Sequence, residues 1–121
     1  MHRCVSAVAG IAAVLAMAAT RGAQAEDTAA LVKRGHSLAA EICGNCHVAA
    51  PDQPCAPIMQ PPAPPFALLA QRPDLTADRL KTFLTTTHRD VQNPQSMPNP
   101  MLMDFQIDEV AAYILSLRAV R

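Results

Sequence analysis

The chain has 121 residues, ten basic and ten acidic, and therefore lacks the basic surface that nucleic-acid binding requires. This length predicts one domain. Half of the residues are hydrophobic, but only 3% are aromatic and none is tryptophan. A small domain with so few large side chains buries little surface, so we expect it to need a further source of stability.

The first 25 residues predict a secretory signal peptide. Arg3 precedes an uncharged apolar run, and Ala23-Gln24-Ala25 matches the small-residue cleavage pattern. A membrane-anchoring helix is the alternative, but the run is shorter than the about 20 residues that span a bilayer. We expect a mature domain over 26–121, without stable membrane insertion. Removal of Arg3 and Arg21 leaves it eight basic and ten acidic side chains.

Residues 27–42 predict an N-terminal helix. They contain no proline, and Leu31, Leu38 and Ile42 recur at helical spacing. Gly35 lies inside this segment, where glycine costs about 1 kcal/mol relative to alanine. A glycine at this cost indicates that another backbone packs closely against it, although an incidental glycine on an exposed face is the alternative.

The next five residues, Cys43-Gly44-Asn45-Cys46-His47, read C-x-x-C-H, the attachment signature of a c-type haem. The two thiols form thioethers with the haem vinyl groups, and His47 supplies a nitrogen to the iron. A zinc half-site would need a second Cys/His pair, and a thioredoxin-like pair would need a neighbouring strand. The sequence shows neither. A large apolar cofactor would also supply the missing core, so we expect the haem-free chain to be poorly folded.

A loop is predicted over 48–65, because its seven prolines exclude regular structure; they are Pro51, Pro54, Pro57, Pro61, Pro62, Pro64 and Pro65. Cys55 lies in this loop. It has no partner once Cys43 and Cys46 hold haem and the signal peptide, with Cys4, is removed. We expect a buried free thiol, with an intermolecular disulfide as the alternative.

The second half of the chain predicts two more helices. Thr76 is the predicted N-cap of a helix over 77–87, whose apolar stripe is Leu80, Phe83 and Leu84. A proline-broken segment follows. Asp104 is then predicted to cap the last helix, whose apolar residues are Phe105, Val110, Ile114 and Leu117. Arg118 and Arg121 lie at its end, where positive charge suits the helix dipole.

Over residues 27–121 the chain resembles the small monohaem class I cytochromes c of the bacterial periplasm. The resemblance is carried by the early haem motif, the late Met97-Pro98 segment and Ala112-Tyr113-Ile114 in the last helix. It implies an all-α cytochrome c fold of three to four helices wrapped around one covalently attached haem c. Haem attachment in this family follows export, which implies a periplasmic location. A cytochrome c′ carries its motif near the C-terminus, so the order argues against that fold.

The resemblance also implies roles for single residues. Gly35 stands where the family has a glycine, eight residues before the first haem cysteine, that lets the first and last helices cross. Pro64, with Pro65 as second choice, stands where a proline carbonyl accepts the Nδ1–H of His47 and raises its basicity. The proline-rich insert departs from the family pattern, as does Ala39, where larger residues are common.

Met97 is the predicted sixth ligand of the iron. The family's ligand methionine is often followed by proline just before the last helix, as Met97 is here, and Tyr113 lies at the expected distance from it. A thioether ligand raises the reduction potential. The alternatives are other methionines or, for a bis-histidine haem of lower potential, a histidine: Met101, Met103, Met59 and His88.

These assignments predict a single-electron carrier, not an enzyme, that exchanges electrons with a dehydrogenase or an oxidase. The alternative is the haem-bearing electron-transfer subunit of a periplasmic oxidoreductase complex. A catalytic or gas-sensing haem with an open sixth site is disfavoured by the available methionines. The rest of the sequence shows no acid–base pair or nucleophile constellation.

Overall fold

The computed structural model describes residues 27–86 and 96–119, so the predicted signal peptide, His88 and Arg121 lie outside the described residues. The helices are α1 over 27–38, α2 Phe66–Ala70, α3 Ala77–Thr85 and α4 Asp104–Ser116. A π-helical turn, Ala39–Cys43, continues α1, and a 3₁₀ turn, Leu117–Ala119, continues α4. The described ranges contain no strand, and the all-α fold is confirmed.

By its contacts the chain divides into a unit Met1–Ala30 and a unit Leu31–Arg121, and α2, α3 and α4 all lie in the second. Among the described residues, no helix combines the length and the apolar character that crossing a membrane requires.

Gly35 is the point where α1 and α4 cross. A Cβ on Gly35 would overlap the backbone carbonyl of Glu109 and lie 2.9 Å from the Cβ of Tyr113. Beside this contact, Arg34 Nε donates to Glu109 Oε1 at 2.5 Å, which neutralises a carboxylate that is buried in the crossing. The close approach that Gly35 predicts is therefore confirmed.

The buried face of the first helix differs from the predicted stripe. Ala39 is fully buried in the core, whereas Ile42 is 38% exposed. Ala39 follows Gly35 by one α-helical turn and therefore shares its buried face, whereas the π-helical turn over Ala39–Cys43, whose hydrogen bonds span one more residue, changes the phase of the side chains after it and accounts for the exposure of Ile42. The small side chain at position 39 thus lies in the core beyond the crossing.

The short helix α2 was not predicted. Its five residues follow two prolines, and the carbonyl of Pro65 accepts the N–H groups of Leu68 and Leu69. The side chain of Arg118 donates to the carbonyls of Ala70, Arg72 and Leu75 at 2.7, 3.1 and 2.5 Å. The charge of Arg118 therefore also serves the segment that ends α2, and the expectation that it suits the dipole of its own helix stays a prediction.

Thr76 caps α3 as predicted, and its hydroxyl oxygen accepts the N–H of Arg79 at 3.2 Å. The helix ends at Thr85, two residues earlier than predicted. The hydroxyl of Thr85 donates to the carbonyl of Lys81 at 2.9 Å, and the hydroxyl of Thr86 donates to the carbonyl of Thr82 at 2.6 Å. Such back-bonding competes with continuation of a helix.

The N-cap of α4 is Met103, not Asp104, which is the first residue of the helix. Gln106 Oε1 accepts the N–H of Met103 at 2.9 Å, and Asp104 still complements the helix dipole from the first turn. Phe105 is exposed, contrary to the predicted stripe. The buried face consists of Ile107, Val110, Ala111, Tyr113 and Ile114.

Gly35→Ala tests the crossing. On an exposed helical face this change would stabilise the protein by up to about 1 kcal/mol, because alanine is the better helix former. Here we expect a loss of about 1–3 kcal/mol in the free energy of unfolding, since the added methyl overlaps the carbonyl of Glu109 and forces the helices apart. Denaturant unfolding measures the change, and Ser37→Ala on the exposed face of α1 is the control. A Gly35→Ala protein as stable as the parent would contradict the close crossing.

Candidate haem-binding site

A cavity of about 430 Å³ lies between the C-x-x-C-H segment, the helices α2, α3 and α4, and the segment before α4. All five predicted site residues line it, namely Cys43, Cys46, His47, Pro64 and Met97. Most of the other wall residues are apolar; they include Phe66, Leu69, Leu75, Leu80, Leu84, Val110 and Ile114. The fold thus brings the predicted residues to one apolar space.

The backbone of the motif forms a tight turn at the end of the π-helical turn. The N–H groups of Cys46 and His47 both donate to the carbonyl of Cys43, at 3.1 and 2.9 Å. Both cysteines are free thiols and partly buried. The turn therefore presents two unpaired thiols and one imidazole to the same cavity.

Two observations argue against a thioredoxin-like pair and a zinc site as alternatives for the motif. Burial, and then the neighbouring Cys46, raises the pKa of the Cys43 thiol to about 11, so it stays protonated at neutral pH. A reactive thioredoxin-like pair needs the opposite shift, because the thiolate is the nucleophile. In the residues that the structure describes, no group of three Cys, His, Asp or Glu side chains is arranged to hold a metal ion.

The ring of His47 is buried and held in one orientation. Its Nδ1 lies 2.8 Å from the carbonyl oxygen of Pro64, and its ring centroid lies 5.1 Å from that of Phe66. A carbonyl only accepts hydrogen bonds, so Nδ1 carries the proton and Nε2 keeps its lone pair for a metal. The partner is Pro64, whereas Pro65 precedes α2 as its N-cap.

The four methionines in the described part of the chain fall into two pairs. Met59 and Met97 line the cavity. Met101 is 83% exposed with a positive φ of 56°, and Met103 is also exposed. Neither of these exposed methionines lines the cavity.

The comparisons with known proteins agree with this geometry. The family model described as Cytochrome c matches residues 32–118. The chain belongs to the cytochrome c family. It is also 36% identical over 109 residues, 90% of this chain and 93% of the relative, to "Cytochrome c-552" of Bradyrhizobium diazoefficiens. No solved structure matches the chain at a significant level.

The residues of this cytochrome match what covalent haem c requires. Two free thiols, an imidazole with Nε2 available and a thioether meet in an apolar cavity. Family membership implies covalently bound haem c and an electron-transfer function that involves redox partners. Cys43, Cys46 and His47 are the residues that would hold it.

Three charged residues on the cavity wall were not predicted. Asp74 bonds the Nε of Arg72 at 3.4 Å and Nη1 of Arg79 at 2.6 Å, and all three line the cavity. A backbone hydrogen bond, followed by the bond from Arg72, lowers the pKa of Asp74, so it stays ionised. The two guanidinium groups would suit the carboxylates that haem carries. The available signal was a charged group, Arg72-Pro73-Asp74, just before α3.

The expectation for Cys55 was wrong in one respect. The thiol is free, as expected, but it is exposed instead of buried. Cys55 stands between Pro54 and Pro57 in the predicted loop, where no helix or strand buries it.

Replacing both haem cysteines, in Cys43→Ala with Cys46→Ala, tests the role of this site in folding. We expect a colourless and largely unfolded protein, because the cavity is a large part of a small, aromatic-poor core. Circular dichroism and the visible spectrum measure both effects. Cys55→Ser is the matched control and should keep its colour and helicity. A stable, helical double variant would count against a core that depends on haem.

Proposed function

We propose that this cytochrome is a periplasmic single-electron carrier that holds one haem c, with His47 and Met97 as axial ligands. The observation that supports it most is the meeting of two free thiols, an oriented imidazole and the Met97 thioether at one cavity. Haem supplies the one-electron couple between ferric and ferrous iron when it is bound.

The protein residues have separate parts in this proposal. Cys43 and Cys46 form the two thioether bonds. His47 donates Nε2 to the iron, and the hydrogen bond from its Nδ1 to Pro64 fixes the ring and raises its basicity. Met97 contributes a soft sulfur donor, which favours the ferrous state and raises the potential.

Met97 suits the sixth position better than Met59 because of the segments that carry them. The N–H of Met59 donates to the carbonyl of Asn45 at 3.3 Å, so its backbone is attached to the same turn as His47. Met97 lies in the segment between α3 and α4, which is separate from the motif turn, and it also lines the cavity. A second iron ligand would have to come from a segment that can reach the haem independently of the His47 turn, which favours Met97.

A carrier role, without catalysis, follows from filling both axial positions with protein atoms. With His47 and Met97 bound, no position remains for an exogenous ligand. We propose that the protein exchanges electrons with redox proteins, a dehydrogenase or an oxidase, as a free monomer without stable membrane insertion. The haem-bearing subunit of a periplasmic oxidoreductase complex is the alternative, and it would copurify with its enzyme, whereas a free carrier would elute as a monomer.

Met97→Ala is the direct test of the axial ligand. The ferric parent should show the weak charge-transfer band at the red end of the spectrum that iron–methionine coordination gives. Met97→Ala should abolish this band and lower the potential, since the ferrous state loses its soft donor. Visible spectroscopy and a redox titration measure both effects.

Met101→Ala and Met59→Ala are the controls for the Met97 variant. Met101 is exposed, so its variant should retain the band and the potential. Met59→Ala should retain the band and cost only packing, up to a few kcal/mol. Loss of the band in Met59→Ala, with retention in Met97→Ala, would show that Met59 is the ligand. A parent protein without the band would contradict methionine ligation and would make His88 the next candidate for the sixth ligand.

Export and haem content form a separate prediction. Full-length protein made in a bacterium with a haem c maturation system should appear in the periplasmic fraction. Its N-terminus should be Glu26, because cleavage follows Ala25. Its mass should exceed that of residues 26–121 by one haem, and it should elute as a monomer. An uncleaved chain in the membrane fraction would contradict the proposed location.

A further inference from the structure

The carbonyl groups of seven consecutive residues, 43–49, all accept hydrogen bonds. Four of them bond only backbone N–H groups: those of Cys43, Asn45, Cys46 and Val48. The donors to the last three come from the following loop and the start of α2, and are Ile58, Met59, Ala63 and Phe66. The remaining three, on Gly44, His47 and Ala49, bond side chains.

The loop that surrounds this segment is short of backbone donors. Seven of the fifteen residues over 51–65 are prolines, which have no N–H. A buried carbonyl without a donor is costly, so the missing hydrogen bonds have to come from side chains. Tyr113 supplies one, since its hydroxyl donates to the carbonyl of Ala49 at 3.0 Å. The carbonyls of Gly44 and His47 depend on Gln53.

Gln53 makes five hydrogen bonds through one side-chain amide. Its Oε1 accepts the N–H groups of Ala49 and Ala50 at 2.7 and 3.2 Å. Its Nε2 donates to the carbonyl of Cys55 at 2.7 Å and to those of Gly44 and His47, both at 3.4 Å. These partners determine the orientation of the amide, because N–H groups face its oxygen and carbonyls face its nitrogen.

Gln53 therefore contacts the backbone on both sides of the His47 peptide. It holds the carbonyl of His47 and, two residues later, the N–H of Ala49. The ring of His47 is held separately by Pro64, at the far end of the same loop. The backbone and the ring of this residue are thus fixed by two different parts of the proline-rich insert.

We propose that Gln53 is a positioning residue of the haem site, whose side-chain amide fixes the His47 peptide and thereby the direction from which the imidazole meets the iron. This inference rests on the proposed function, because it concerns the orientation of the ligand in the loaded protein. Gln53 touches neither the cavity nor the reacting atoms. Its effect passes through the backbone of His47.

Two variants distinguish the contribution of the Gln53 amide oxygen from that of its amide nitrogen. Gln53→Met has a similar length and removes all five hydrogen bonds. Gln53→Glu keeps an oxygen for the N–H groups of Ala49 and Ala50 but loses the donor to the carbonyls of Gly44, His47 and Cys55. Gln71→Met is the matched control, since Gln71 is an exposed glutamine whose amide donates to the Leu117 carbonyl at 3.5 Å.

The measurements are made on purified holoprotein of the parent and each variant. The g values of the ferric protein and the haem methyl proton resonances report the orientation of the axial ligands. Hydrogen exchange of the Ala49 and Ala50 amides reports the loop. Gln53→Met should shift the haem signals and speed this exchange about tenfold, the factor expected for one lost buried hydrogen bond. Gln53→Glu should shift the haem signals while the exchange stays near the parent rate.

The haem signals and the amide exchange rates together distinguish a residue that positions His47 from one that only stabilises the loop. Haem signals that move in both Gln53 variants, and not in Gln71→Met, would support it. Faster exchange with unchanged haem signals would overturn it, since Gln53 would then only brace the loop. Failure of both Gln53 variants to yield folded holoprotein would also overturn it, because the residue would be required for folding. A parent protein without covalent haem would instead refute the proposed function itself.

Discussion

The contact between α1 and α4 at Gly35 is the constraint on which the rest of the site depends. There is no room for a side chain at this position, so the two helices meet backbone to backbone. The buried carboxylate of Glu109 is tolerated there because Arg34 pairs with it. Beyond this crossing the π-helical turn Ala39–Cys43 continues α1 and carries the first cysteine to the cavity.

The loop after the motif completes the site by supplying hydrogen bonds as well as apolar wall residues such as Met59 and Ala63. Prolines stiffen it but remove donors, and the N–H groups of Ile58, Met59 and Ala63 are directed at carbonyls of the motif. Tyr113 connects this arrangement to the crossing, because it packs edge-on against His36 of α1 and bonds the Ala49 carbonyl. Helix packing and haem ligation are therefore parts of one connected structure.

The sequence was informative wherever a role depends on local chemistry. The spacing of Cys43, Cys46 and His47 predicted the cluster, and Thr76 predicted the start of α3. It was uninformative where a role depends on distant partners. The seven prolines over 51–65 already indicate a shortage of N–H donors, but nothing in the sequence indicates that the side chain of Gln53 donates to carbonyls six and nine residues earlier. The phase shift after α1 is likewise a tertiary effect, and the apolar pattern favoured Ile42 over Ala39 as the buried residue.

The three hydrogen bonds of Arg118 have a consequence for the order in which the protein is assembled. Its guanidinium joins carbonyls of Ala70, Arg72 and Leu75, which stand 48, 46 and 43 positions earlier in the chain. The stretch that they belong to forms one wall of the cavity. Those hydrogen bonds can form only when the C-terminal 3₁₀ turn has packed against this stretch, so completion of that wall has to wait for the folding of Leu117–Ala119.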